Sequence, residues 1–149
     1  MKSTHALFFV LLLFIHLTSC NADNLALKGK EMGHETIKMT IGTYTFRAKL
    51  FDNETTTAFK AMLPLKLTMR ELNGNEKYFH FSSNFPTHPS NPTTIHSGDL
   101  MLWGKNSFVL FYETFSTSYA YTRIGSIEDV THLAHAVGKE DVMVKIELE

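Results

Sequence analysis

Leu65-Lys66-Leu67-Thr68-Met69-Arg70-Glu71-Leu72-Asn73-Gly74-Asn75-Glu76-Lys77-Tyr78-Phe79-His80-Phe81 is the stretch whose reading decides the fold. Leu65, Leu67 and Met69 alternate with Lys66, Thr68 and Arg70, the period of two expected of a strand with one buried face. Asn73-Gly74 supplies residues that tolerate positive φ in a two-residue hairpin turn. Tyr78-Phe79-His80-Phe81 then returns as the next strand.

The same pattern extends outward. Ile37-Lys38-Met39-Thr40-Ile41 alternates, Gly42-Thr43 turns, and Tyr44, Phe46, Ala48 and Leu50 alternate with Thr45, Arg47 and Lys49, predicting a second hairpin. Asp52-Asn53-Glu54 offers a cap for a helix over 55–63, which gathers Ala58, Phe59, Met62 and Leu63 on one side and stops at Pro64. Residues 82–97 hold Pro86, Pro89 and Pro92 and read as a long surface loop. Residues 99–103 and 107–112 are apolar strand candidates joined by Gly104-Lys105-Asn106. Residues 114–122 are almost all hydroxyl and aromatic. Ile127 leads into a short helix over 128–137, stopped by Gly138. Val142, Val144, Ile146 and Leu148 alternate as a terminal strand. About eight strands and two short helices predict a mainly β chain, its sheet closed into a barrel without exposed edges.

The N-terminal region obeys different rules. Met1-Lys2-Ser3-Thr4-His5 is short and cationic, and ALFFVLLLFIHL follows over 6–17. Twelve helical residues span about 18 Å, against a hydrocarbon core of about 30 Å, so the run suits a secretory signal peptide better than a membrane span. Leu17-Thr18-Ser19-Cys20 resembles the lipobox of bacterial lipoproteins, in which the signal is cut before a Cys that carries lipid. Cys20 is the only cysteine of the chain, so it has no disulfide partner within it. The alternative is ordinary cleavage after Ala22. The expected organisation is a signal peptide over 1–19, a polar, flexible tether over 20–35 and one domain over 36–149. Asn21, rather than Asp, follows the Cys. The resemblance then implies the cell envelope, and in a double-membraned cell the outer membrane facing the periplasm.

Thirteen of the 14 Lys/Arg and all 15 Asp/Glu follow Cys20, leaving a net charge of −2 there and no basic run, which excludes a nucleic-acid partner. Apolar residues at 44% and charged residues at 19% are those of a globular chain.

Leu72-Asn73-Gly74-Asn75-Glu76-Lys77-Tyr78, Gly98-Asp99-Leu100-Met101-Leu102-Trp103, Phe111-Tyr112-Glu113-Thr114-Phe115-Ser116-Thr117-Ser118-Tyr119 and Ile124-Gly125-Ser126-Ile127 stand in order. Together they closely resemble the bacterial cyclophilin-like family of unassigned function, over roughly 36–149. The resemblance implies a closed eight-stranded β-barrel with two short helices. It does not imply prolyl isomerase activity: the Phe-His-Arg and Phe-Met-x-Gln strings of true cyclophilins do not stand here in the expected context. That mechanism needs a guanidinium beside the twisting peptide bond, and no motif selects among Arg47, Arg70 and Arg123.

Residues 115–122 form the leading site candidate. Ser116, Thr117, Ser118, Tyr119, Tyr121 and Thr122 bring donors and acceptors beside aromatic faces, the mixture used by small-ligand pockets. The alternative is a strand with its hydroxyls in solvent and Phe115 and Tyr119 packed inward. Trp103 is either core packing or the floor of a groove with Tyr119. His96-Ser97-Gly98-Asp99 with Ser116 could be drawn as acid–base machinery, although Asp99 also suits a turn cap. His132 and His135, with Asp129, share one face of the expected helix, but a metal would need further ligands. Glu71, Asn73 and Asn75 surround a turn that needs them for geometry alone. No cofactor is expected. The expected partners are the membrane, through Cys20, and a small molecule or extended peptide. The expectation is a binding module, with a divergent peptidyl-prolyl isomerase or another cleft enzyme as the alternative.

Overall fold

The computed structural model describes residues 35–149. The expected signal peptide, the Cys20 anchor and the tether up to residue 34 lie outside the described residues. The last tether residue is already docked: the Glu35 carbonyl accepts from the Leu50 N–H at 2.9 Å, and its carboxylate meets Lys60.

Ten strands and two helices follow: β1 Thr36–Ile41, β2 Tyr44–Leu50, α1 Glu54–Lys60, β3 Leu65–Leu72, β4 Glu76–His80, β5 Thr94–Ile95, β6 Asp99–Trp103, β7 Ser107–Phe111, β8 Phe115–Ser116, β9 Thr122–Ile127, α2 Leu133–Val137 and β10 Val142–Leu148. Eight strands close an antiparallel barrel in the order β1-β10-β3-β4-β7-β6-β9-β2, and β2 pairs back to β1. The expected barrel is therefore present. Asn73 and Gly74 both take positive φ, 56° and 69°, as a type I′ hairpin turn requires.

Alternation fills the interior. Ile37, Met39 and Ile41 face Phe46, Ala48, Leu67, Met69, Val144 and Ile146 in one buried cluster. Helix α1 adds Phe59, whose ring stacks on Phe108 at 5.0 Å, and α2 adds Leu133 and Val137. Asn53 caps α1 by accepting from the Thr56 N–H at 2.8 Å.

Residues 100–102 and 108–111 of strands β6 and β7 are an unbroken apolar run because both faces are buried there. Leu100, Leu102, Phe108 and Leu110 point into the barrel. Met101, Val109 and Phe111 point outward and form a second cluster with Ile95 and Tyr121. The two-stranded β5–β8 ribbon, with Thr94 opposite Ser116, lies in the segments that cover that outer face.

Three local expectations are corrected. The first helix ends at Lys60, not residue 63, because Leu63 precedes Pro64 and that position disfavours helical backbone. The second begins at Leu133, not residue 128. The Glu128 N–H extends the sheet to the Arg47 carbonyl, and His132 takes φ 72°, which a continuous helix forbids. Residues 114–122, expected as a strand in one alternative, supply only the two-residue β8 and, in Thr122, the first residue of β9. The eighth barrel strand is β9, where Gly125 lets the β2 backbone approach so closely that a Cβ would lie 2.4 Å from the Lys49 carbonyl oxygen.

Candidate functional site

The outer faces of the adjacent strands β4, β7 and β6, with residues 115–121, enclose a cleft of about 500 Å³. Of the residues singled out for this candidate in the sequence, Trp103, Phe115, Ser116, Thr117, Ser118, Tyr119 and Tyr121 line it, whereas Thr122 is buried in β9 and accepts from the His88 N–H at 3.0 Å. They play different parts. Tyr121 is buried and makes an edge contact with Phe111 at 5.5 Å, and Phe115 is half-buried against Phe111 at 5.7 Å. Trp103 and Tyr119 are 51% and 64% exposed, so neither is core packing, and the inward-packed Tyr119 of the strand alternative is corrected.

The patch is held in place by its own polar groups. The Thr117 N–H donates to the Thr93 carbonyl at 2.9 Å, and the Asn91 side-chain amide donates to the Ser118 carbonyl at 3.2 Å. The Thr117 hydroxyl accepts from the Tyr119 N–H at 3.1 Å.

The opposite wall was missed by the sequence reading. Glu76, Tyr78 and His80 alternate on the cleft side of β4, and Ser107 and Val109 face them from β7. His80 and Ser107 are register partners, with Nδ1 and Oγ 2.6 Å apart. The Tyr78 ring lies 4.9 Å from that of His80. The period of two was visible in 76–80, but the charged residue that faces inward is Lys77, reversing the usual assignment of polar side to solvent.

Burial holds the Glu76 carboxyl above its ordinary range, and the Glu71 charge adds to this. Tyr121 is also raised, first by burial and then by Glu76, against a lowering hydrogen bond with Thr117. Asn75 lines the same cleft, and its Oδ1 is buried without a donor.

Two other candidates are not assembled. The Asp99 carboxylate accepts from the His96 N–H at 2.9 Å and the Ser97 hydroxyl donates to the Tyr112 carbonyl at 3.1 Å, so these residues hold their own turn. Ser116 lines the cleft, whereas His96, Ser97 and Asp99 do not. His132 and His135 both pack on the Tyr44 ring, each 5.8 Å away. Asp129 accepts from the Thr131 N–H at 2.9 Å. Among the described residues, no three His, Cys, Asp or Glu side chains gather as metal ligands would.

The barrel's sequence matches the family described as the cyclophilin-like family over residues 39–147, from within β1 to within β10. The chain belongs to the cyclophilin-like family. Among solved structures it is similar to the solution structure of a hypothetical protein from Archaeoglobus fulgidus, with a TM-score of 0.53 and 20% identity. That likeness covers 80% of this chain and 99% of the archaeal one, and it concerns the fold alone. No curated protein matches the chain.

In this cyclophilin-like barrel none of the three arginines lines the cleft. Arg47 pairs with Glu149 at 2.6 Å, and Arg123 stands over the Phe51 ring at 4.5 Å. Arg70 reaches only the ring of one cleft residue, Tyr78, at 5.9 Å.

Proposed function

We propose that this cyclophilin-like chain is an envelope-anchored binding module whose hydroxyl- and aromatic-lined cleft takes a small ligand or an extended peptide without isomerising it. The observation that carries the reading is the cleft of about 500 Å³ lined by exposed Trp103 and Tyr119 together with hydroxyl-bearing Ser116 and Thr117. Cavities of roughly 300–1,000 Å³ with aromatic walls and a few polar groups suit small ligands. Aromatic rings supply contact area at low conformational cost, and hydroxyls can serve as donor or acceptor. The anchoring half of the reading rests on Leu17-Thr18-Ser19-Cys20 and the lone thiol.

Two experiments test it. A proline tetrapeptide should isomerise at its background rate in the presence of the protein. A rate well above background, reduced by replacing Arg70 or another arginine, would put the isomerase reading in place of the binding module. Mass spectrometry of cell-derived protein should find acyl mass on Cys20, and Cys20→Ser should release the protein from membranes. An unmodified Cys20, or a retained leader, removes the anchor from the proposal.

A further inference from the structure

Resting on the binding reading, we infer that the cleft selects an organic cation: an alkylammonium or guanidinium group set against Glu76, with its apolar body against the aromatic walls. The charge of the cleft carries this. Glu76 is the one acidic residue among the lining residues, and no lysine or arginine is among them. The lysine next to it in sequence, Lys77, turns the other way and is fully buried against Glu71. A carboxylate in a partly buried site, without a protein cation lining that site, favours a ligand that brings its own.

The neighbouring groups agree. His80 is already engaged with Ser107. Tyr78, Phe115, Tyr119, Tyr121 and Trp103 present rings, whose faces attract cations and whose area accepts an apolar stem. The Arg70 guanidinium, which does not line the cleft, already stands 5.9 Å from the Tyr78 ring centroid. Burial makes the Glu76 carboxyl harder to ionise, a cost that an incoming cation offsets.

The cation can belong to a free amine or to a basic residue of a peptide, and paired probes separate the two. Full-length protein is titrated with tyramine and with neutral 4-ethylphenol, followed by NMR and Trp103 fluorescence. A second pair is the acetylated, amidated peptides Ala-Ala-Lys-Ala-Ala and Ala-Ala-Gln-Ala-Ala. The cationic member of at least one pair should bind at least tenfold more tightly, and Glu76→Gln should abolish that preference while leaving the neutral probe unchanged. The pair with the larger preference identifies the source. Equal binding of cation and neutral probe, or a preference that survives Glu76→Gln, overturns the cation assignment and leaves the binding module standing. No binding of any probe overturns both. Should Glu76→Gln fail to fold, the wild-type ratio alone decides.

Discussion

The ammonium of Lys77 lies 2.5 Å from the Glu71 carboxylate, its register partner across the β3–β4 hairpin, and none of the lysine side chain is exposed. Its remaining donors reach the Gly138 carbonyl at 2.9 Å and the Glu140 carbonyl at 2.7 Å, and its charge faces the Tyr112 ring at 5.4 Å. All three N–H groups are thus satisfied, and one side chain ties the hairpin to the segment between α2 and β10. Glu71 also accepts from the Tyr112 hydroxyl and the Gly74 N–H.

Lys77→Met should therefore cost about 3 kcal/mol, because it leaves a partly buried carboxylate and two carbonyls without their donor. Urea unfolding followed by circular dichroism reads this as a lower midpoint at unchanged slope. A variant as stable as the parent would show that the lysine is dispensable to the barrel.

Acid should weaken the same network. Burial acts to raise the Glu71 carboxyl, but hydrogen bonds from Lys77, Tyr112 and Gly74 outweigh it and leave it below its ordinary 4.5. A lowered folded value means stability that is complete above the unfolded value and is lost as pH falls through the folded one. Glu71→Gln should flatten that acid limb of a stability–pH curve.

Glu76 has the opposite sign. Its folded value is raised, so the unfolded chain ionises first and the folded state loses stability as pH rises above 4.5. Glu76→Gln should stabilise the protein at pH 7 and leave stability at pH 3.5 unchanged. Thermal melts at the two pH values check this. Equal effects at both would assign the change to packing rather than to charge.

Tyr119 and Tyr121, two of the three cleft tyrosines, should part company. Tyr119→Ala removes an exposed ring and should move stability by no more than about 0.5 kcal/mol while weakening ligand binding. Ser116→Ala should behave in the same way. Tyr121→Ala empties a buried place beside Phe111 and should cost about 3 kcal/mol. Denaturation paired with ligand titration distinguishes them, and an unfolded Tyr119→Ala would make that ring structural.

Gly125→Ala should cost about 3 kcal/mol, since the added Cβ would lie 2.4 Å from the Lys49 carbonyl oxygen and force β9 away from β2. Loss of amide protection at Phe51 and Glu128, whose N–H groups donate to the Ile124 and Arg47 carbonyls at 2.9 Å, would report the separation by hydrogen exchange.

The barrel was legible in the sequence because each hairpin states its own period. Leu65, Leu67 and Met69 announce a buried face, and Asn73-Gly74 announces the turn, without reference to the rest of the chain. The hydroxyl and aromatic patch at 115–121 was legible for a similar reason, as its composition is unusual over one short run. Strand β9 was harder to read, because Gly125 resembles a turn until the neighbouring backbone is seen pressing on it. The second helix was overextended for a comparable reason: the left-handed backbone at His132 is a tertiary outcome.

The sequence by itself determined the class of fold, the strand periodicity and half of the cleft, since these follow from local patterns of apolar side chains and turn residues. Only the tertiary structure decided which faces meet. Closing the barrel set the outer face of β4 and β7 against 115–121, bringing Glu76, Tyr78, His80 and Ser107 to residues that lie far from most of them along the chain. It also turned Lys77 inward, where Glu71 and two carbonyls replace water. Such pairings depend on register across strands distant in sequence, and no local period encodes them.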